Sequence, residues 1–277
     1  MSAGLPLKSA PDQARSRTFG PLYSRNAKAV ISRGLLATRS TNWLVMLSGV
    51  FEPVLFLISM GVGLGSIVGT VQGPGGGEIS YAAYIAPALL AVSAMNGAIY
   101  DSTWNVFFKL NYGKLYEGML ATSLGPLDVA LGEILYALLR GLLYATGFMI
   151  IMQILGLNLA WTAILAIPAV LLIAFGFASL GMAVTSYMKT FQHMDWINFV
   201  LLPMFLFSAT LYPISIYPDW VQSIIMAFPL WHGVELVRGL TTGVLVPDMW
   251  WHVLYFVVMI GIGLVFTTKR LRALFLD

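Results

Sequence analysis

The sequence has no cysteine, which rules out disulfide staples, thiolate metal sites and a cysteine nucleophile together. Charge is scarce as well: 10% of the 277 residues are Asp, Glu, Lys or Arg, against roughly 25% in an ordinary soluble domain. Histidine is limited to His193, His232 and His252, which are scattered, and no pair has the spacing of a zinc helix. No Gly-rich loop ends in Gly-Lys-Ser or Gly-Lys-Thr, so ATP hydrolysis through a phosphate loop of that type is excluded. A Gly-x-Ser-x-Gly elbow is missing too. No soluble catalytic domain fits in the chain.

What is present is apolar sequence, 58% of the residues. It predicts an all-α integral membrane protein with six transmembrane helices, at about 43–68, 82–108, 128–155, 161–187, 196–207 and 250–268. Each is close to the ~20 residues that a bilayer demands, except the short fifth. TVQGPGGGEIS, after the first span, reads as a Gly-rich turn with no helix in it. Residues 1–20, rich in Ser, Pro, Gly and Arg, read as a disordered cytoplasmic tail, and 21–277 as one transmembrane domain.

Between 21 and 41, Leu22, Ala29, Val30 and Leu36 interleave with Arg25, Lys28, Arg33 and Arg39. That suits an amphipathic helix lying on an anionic membrane surface, or else a solvated basic leader that fixes topology. The apolar run that follows is too long for a secretory signal, so the first span should stay attached. Segments 1–42, 109–127, 188–195 and 269–277 hold every Lys and Arg except Arg140 and Arg238. The positive-inside rule then puts both termini in the cytoplasm.

Between spans five and six, residues 208–241 contain Pro213, Pro218 and Pro229, which forbid one continuous helix. Broken backbone at membrane depth needs protein or a water-filled cavity around it, so a pair of re-entrant helices is expected near the outer face. Tyr212, Tyr217, Trp220, Trp231, Trp250 and Trp251 gather there as an aromatic belt. No counterpart of this segment in the first half suggests an inverted repeat.

Ionisable residues within spans are the first candidates for function, since each costs about 2.5–3.5 kcal/mol at the bilayer centre. Glu133 and Arg140 lie two turns apart on one face, Glu235 and Arg238 are three apart, and Glu52 precedes Pro53, where a kink is expected. Asp101 sits beside Tyr100 and Trp104. These groups either tie helices together or, with Tyr212, Pro213 and Trp231, line a substrate path or gate. Tyr100, Trp104 and Phe107 form a stripe that offers either stacking surface or helix packing, and MGVGLG at 60–65 permits close helix approach. In the link after span two, Leu115, Met119 and Leu120 alternate with Lys114, Tyr116 and Glu117, as in a short amphipathic helix stopped by Gly125-Pro126.

The order of spans and the stretches LYEGMLATSLGPLDVALGEI and FSATLYPISIYPDWVQSIIMAFPLWHGVELVRGL resemble the permease subunit of ABC-2-type exporters. EPVLFLISMGVGLG, YAAYIAPALLAVSAMNGA and FASLGMAVTS are similar to the lipooligosaccharide and nodulation-factor exporter branch, the NodJ-type permeases, and the likeness runs over about 25–272. The resemblance implies a bacterial plasma-membrane permease that pairs with a second copy, most simply as a homodimer. It would recruit two copies of a separate ATPase, which binds ATP and Mg, and would export an amphipathic substrate such as a lipid-linked oligosaccharide, glycolipid or lipophilic drug-like molecule. No cofactor in this chain, no catalytic residue, no metal and no nucleic-acid partner are implied. By position, the ATPase-coupling helix comprises Lys114, Leu115, Tyr116, Glu117, Met119, Leu120 and Thr122. Two alternatives stay open from the residues alone. One is a stand-alone ion-coupled or facilitative transporter built on Glu52; the other is an intramembrane transferase with Asp101 or His232 as base.

Overall fold

The computed structural model describes residues 27–38, 43–122 and 124–275. The expected interfacial segment contributes α1 (Ala27–Thr38); its remainder, Leu22, Arg25 and Arg39 included, lies outside the described residues. Val30 of α1 is buried against Gly132, where any side chain would collide with it, while Leu35 and Leu36 face outward.

The first span is α2 (Trp43–Phe56), continuing through a π-helical stretch, Leu57–Leu64, into α3 (Gly65–Val68). Pro53 sits inside α2 and removes the donor that would reach the Gly49 carbonyl. That carbonyl instead accepts from Ser93 Oγ at 3.4 Å, so a neighbouring helix repairs the ladder. Of the glycines in MGVGLG, Gly61 approaches Ala82 closely but Gly63 faces open space, so the run is only partly a packing surface. The Gly-rich turn proves to be a small antiparallel hairpin, β1 (Thr70–Gln72) and β2 (Glu78–Ser80), register Val71 with Ile79. Three-residue strands carry too little periodicity to be read in sequence.

Ser80 caps α4 (Tyr81–Tyr100), accepting from the Ala83 N–H. α4 is the centre of the bundle: 83% of the apolar window of 81–112 is buried, against 11% for span one and 22% for the last helix. Ala83, Ala86, Ala88, Ala91, Ala94 and Ala98 explain the enclosure, because small side chains let neighbouring helices approach. The helix does not stop at 108; π-helical turns, Asp101–Asn105 and Phe108–Tyr112, carry it further. Then come α5 (Leu115–Leu120), α6 (Pro126–Ile154), α7 (Ala166–Thr185, preceded by a 3-10 turn from Trp161), α8 (His193–Phe207), α9 (Asp219–Met226), α10 (Pro229–Thr242) and α11 (Met249–Phe275). Five helices are long and apolar enough to cross a membrane, and α8, at 15 residues, is shorter.

The connections gather at two ends. At one, Leu159 and Ala160 both donate N–H bonds to the Thr241 carbonyl, and Gly75 of the hairpin lies against Val244. At the other lie α5 and the link around Ser186, whose carbonyl accepts from Arg270 Nε at 3.3 Å.

Candidate functional site

Three places carry the candidate residues, and the structure groups them differently from the spacing in sequence. The first is a groove of about 670 Å³ between span one, α4, α6 and α8. Glu52, Pro53 and Phe56 contribute one wall, Ser93, Asn96 and Tyr100 a second. Arg140 and Tyr144 enter from α6, and Asn198, Leu201 and Phe205 from α8. Of the expected path residues, Glu52, Tyr100 and Arg140 meet here. Glu52 is exposed and makes no hydrogen bond or ion pair among the described residues.

Arg140 does not share a site with Glu133, the relation suggested by their seven-residue spacing. It pairs with Asp101 at 3.0 Å, and Glu133 pairs with Lys109 at 2.5 Å. Both partners come from the extended α4, because the helix runs on past its expected end and brings Lys109 alongside α6. Asp101 is 2% exposed and also accepts from Asn105 Nδ2, so it is a tie between helices rather than a free base. The aromatic stripe divides: Tyr100 opens into the groove and stacks on Trp104, whereas Phe107 is buried against Met188 and Met194.

The second place is α5. Lys114 enters it in the left-handed region at φ 46°, a sharp turn out of the span. Tyr116 and Met119 are buried, and Lys114, Glu117 and Thr122 are exposed, with Leu115 and Leu120 between. Tyr116 therefore belongs to the anchoring face and not to the polar face expected for it. Burial, with the Glu133 carboxylate adding to it, holds the Tyr116 phenol well above its ordinary pKa, and its hydroxyl has no hydrogen-bond partner among the described residues. Thr122 Oγ1 closes the segment on the Met119 carbonyl at 2.6 Å.

The third is the broken segment. The chain leaves α8 through Ala209 at φ 53°, passes Tyr212 and Pro213, and forms α9 and α10, so two short helices follow the break. Glu235 and Arg238 pair at 2.6 Å, as their spacing suggests. Arg238 does more: Nη2 donates to the Ala209 carbonyl at 2.8 Å, Nε to the Tyr84 carbonyl, and the guanidinium lies 4.0 Å over the Tyr84 ring. At 2% exposure it staples the break to α4. Tyr212, Pro213, Trp231, Glu235 and Arg238 thus lie apart from the groove's lining. His232 and His252, scattered in sequence, meet with Nδ1 atoms 2.7 Å apart between Trp231 and Tyr255. Among the described residues no group of three or more His, Cys, Asp or Glu is placed to hold a metal.

Comparison with known proteins agrees with this architecture. The pattern of the ABC-2 type transporter family matches residues 25–241. Nodulation protein J of Rhizobium leguminosarum bv. viciae is 30% identical over 254 residues, 91% of this chain and 96% of that protein. Nodulation protein J of Bradyrhizobium diazoefficiens is 34% identical over 220 residues, 79% of this chain and 82% of that protein. The namesake from Sinorhizobium fredii is 32% identical over 220 residues, with the same coverage. The chain therefore belongs to the ABC-2 type transporter family, as the multi-pass permease subunit of an ABC exporter in a bacterial plasma membrane, and is not itself an enzyme.

Proposed function

We propose that this chain, paired with a second copy, moves an amphipathic lipid-like or glycolipid-like molecule outward, and that two copies of a separate ATPase drive it by pressing on α5. The observation that carries the reading is the geometry of α5: one face is locked into the bundle through Tyr116 and Met119, while Lys114 and Glu117 stand free on the other. A helix held in this way transmits a push instead of yielding to it. α5 packs against α6, and Glu133 of α6 is bridged to Lys109 on the continuation of α4, so movement of α5 reaches both. ATP and Mg would be bound by the partner, whose closure biases the bundle between two arrangements. The substrate path in this reading is the groove, with both termini cytoplasmic and the broken segment near the outer mouth. Counting α8 as a crossing gives six passes.

The test is purification of a tagged copy from its native membrane, with identification of the soluble protein that accompanies it, repeated with Glu117→Arg. An ATPase retained by the parent and lost by the variant supports the reading. A variant that no longer assembles with its second copy would make α5 a structural element. Absence of any ATPase from both preparations, together with transport by the purified chain alone, would favour the stand-alone reading, for which the unpaired Glu52 is the supporting observation.

A further inference from the structure

We propose that the groove binds an amphipathic organic cation, with Glu52 as its counter-ion. The inference rests on reading the groove as the substrate path and adds the charge of what enters. Among the described residues, Glu52 and Arg140 are the two charged side chains lining the groove. Arg140 is committed to Asp101 at 3.0 Å, which leaves the Glu52 carboxylate as the charge without a counter-ion among the described residues. A carboxylate on a membrane span is costly to maintain without a partner. A bound cation would offset that cost.

The remainder of the lining suits the same ligand. Tyr100 and Tyr144 are among the lining residues, and Phe56 and Phe205, also lining it, meet edge to face with centroids 5.8 Å apart. Aromatic faces attract ammonium and phosphonium groups. Leu201 and Leu202 supply apolar surface for the hydrophobic part. An anionic head group would meet Glu52 and find the charge of Arg140 already neutralised.

Two ions of nearly equal size and shape but opposite charge test this: tetraphenylphosphonium and tetraphenylborate. Their binding to the purified full chain in an uncharged maltoside detergent is measured by equilibrium dialysis. Phosphonium should bind at least tenfold tighter than borate. Glu52→Gln should weaken phosphonium about tenfold, equivalent to about 1.4 kcal/mol, and Glu52→Asp should keep most of the affinity. Asn96→Trp, which projects from an exposed position into the groove, should block phosphonium without loss of the fold, checked by helix content. Equal affinity for the two ions would overturn the proposal, as would parental affinity in Glu52→Gln or in Asn96→Trp. An ATPase that still accompanies the chain in such a case would leave the exporter reading standing and remove this one alone.

Discussion

Ala209 occupies the left-handed region at φ 53°, which costs a residue with a Cβ roughly 1–2 kcal/mol. The cost is tolerated because the Ala209 carbonyl receives Arg238 Nη2 and the Tyr84 hydroxyl. Two consequences can be measured by denaturation in mixed micelles. Ala209→Gly removes the strain but adds unfolded-chain entropy of about 0.4–1 kcal/mol, so it should stay within about 0.5 kcal/mol of the parent, while Ala209→Val should lose more than about 1 kcal/mol. Arg238→Gln should cost about 3–5 kcal/mol, because breaking a buried ion pair strands its partners. Glu235→Gln keeps a hydrogen-bond acceptor beside Arg238 but leaves the buried guanidinium without its counter-ion, so it should also be destabilising, by about 1–3 kcal/mol. If the two interact, the double variant will be milder than the sum; strict additivity would show that Arg238 acts through the carbonyls alone. The Glu235–Arg238 pair was legible because three residues span less than a helical turn. The reach of Arg238 to Ala209 and Tyr84 was not, since those partners are brought near only by the fold.

Among the elements, hydropathy located the helices well and their ends poorly. The run after Phe108 is polar, which suggested a loop, yet π-helical turns continue α4 to Tyr112 and thereby decide which carboxylate each cation meets. Spacing within α6 is blind to that, because it counts residues on a single helix. The helix α5 in the link after α4 was legible as a short amphipathic helix, but Tyr116 looked polar by its hydroxyl and is buried by its ring. Since that hydroxyl has no hydrogen-bond partner among the described residues, Tyr116→Phe should be neutral or slightly stabilising, whereas Tyr116→Ala should cost about 3–5 kcal/mol through the cavity it leaves. ATPase retention measured alongside thermal midpoint separates the two effects. Close approach between α7 and α11 gives a sharper packing test. A Cβ on Gly263 would lie 2.5 Å from the Ser179 carbonyl carbon and 2.8 Å from the Leu180 nitrogen, and one on Gly261 meets nothing within 4 Å. Gly263→Ala should lose about 1–3 kcal/mol by overpacking. Gly261→Ala should not be destabilised, and equal losses in both would place the cause in the helix itself.

For the whole molecule, the distribution of basic residues and the fold agree on which segments share an end, and this turns the missing cysteine into an experimental advantage. The hairpin around Glu78, the Asn158 link and the Asp248 loop belong to one end, tied by the Thr241 carbonyl and by Val244. Lys189 lies at the other, next to the Ser186 carbonyl that Arg270 binds. With no native thiol, a single Cys reports its side without interference. Glu78, Asp248 and Lys189 are all exposed, so replacing them should disturb little packing. In intact cells, Glu78→Cys and Asp248→Cys should react with a membrane-impermeant maleimide, and Lys189→Cys only after permeabilisation. The Asp248 result bears on α8 in particular: its 15 residues span roughly 22 Å at 1.5 Å each, short of the ~30 Å hydrocarbon core, so in the six-pass reading proposed above the broken segment has to complete the passage. Protection of Asp248→Cys with labelling of Glu78→Cys would mean that α8 and the two short helices return to the side they left. The five longer helices would then be the only crossings, and the outer-mouth assignment of Arg238 would fall with the sixth.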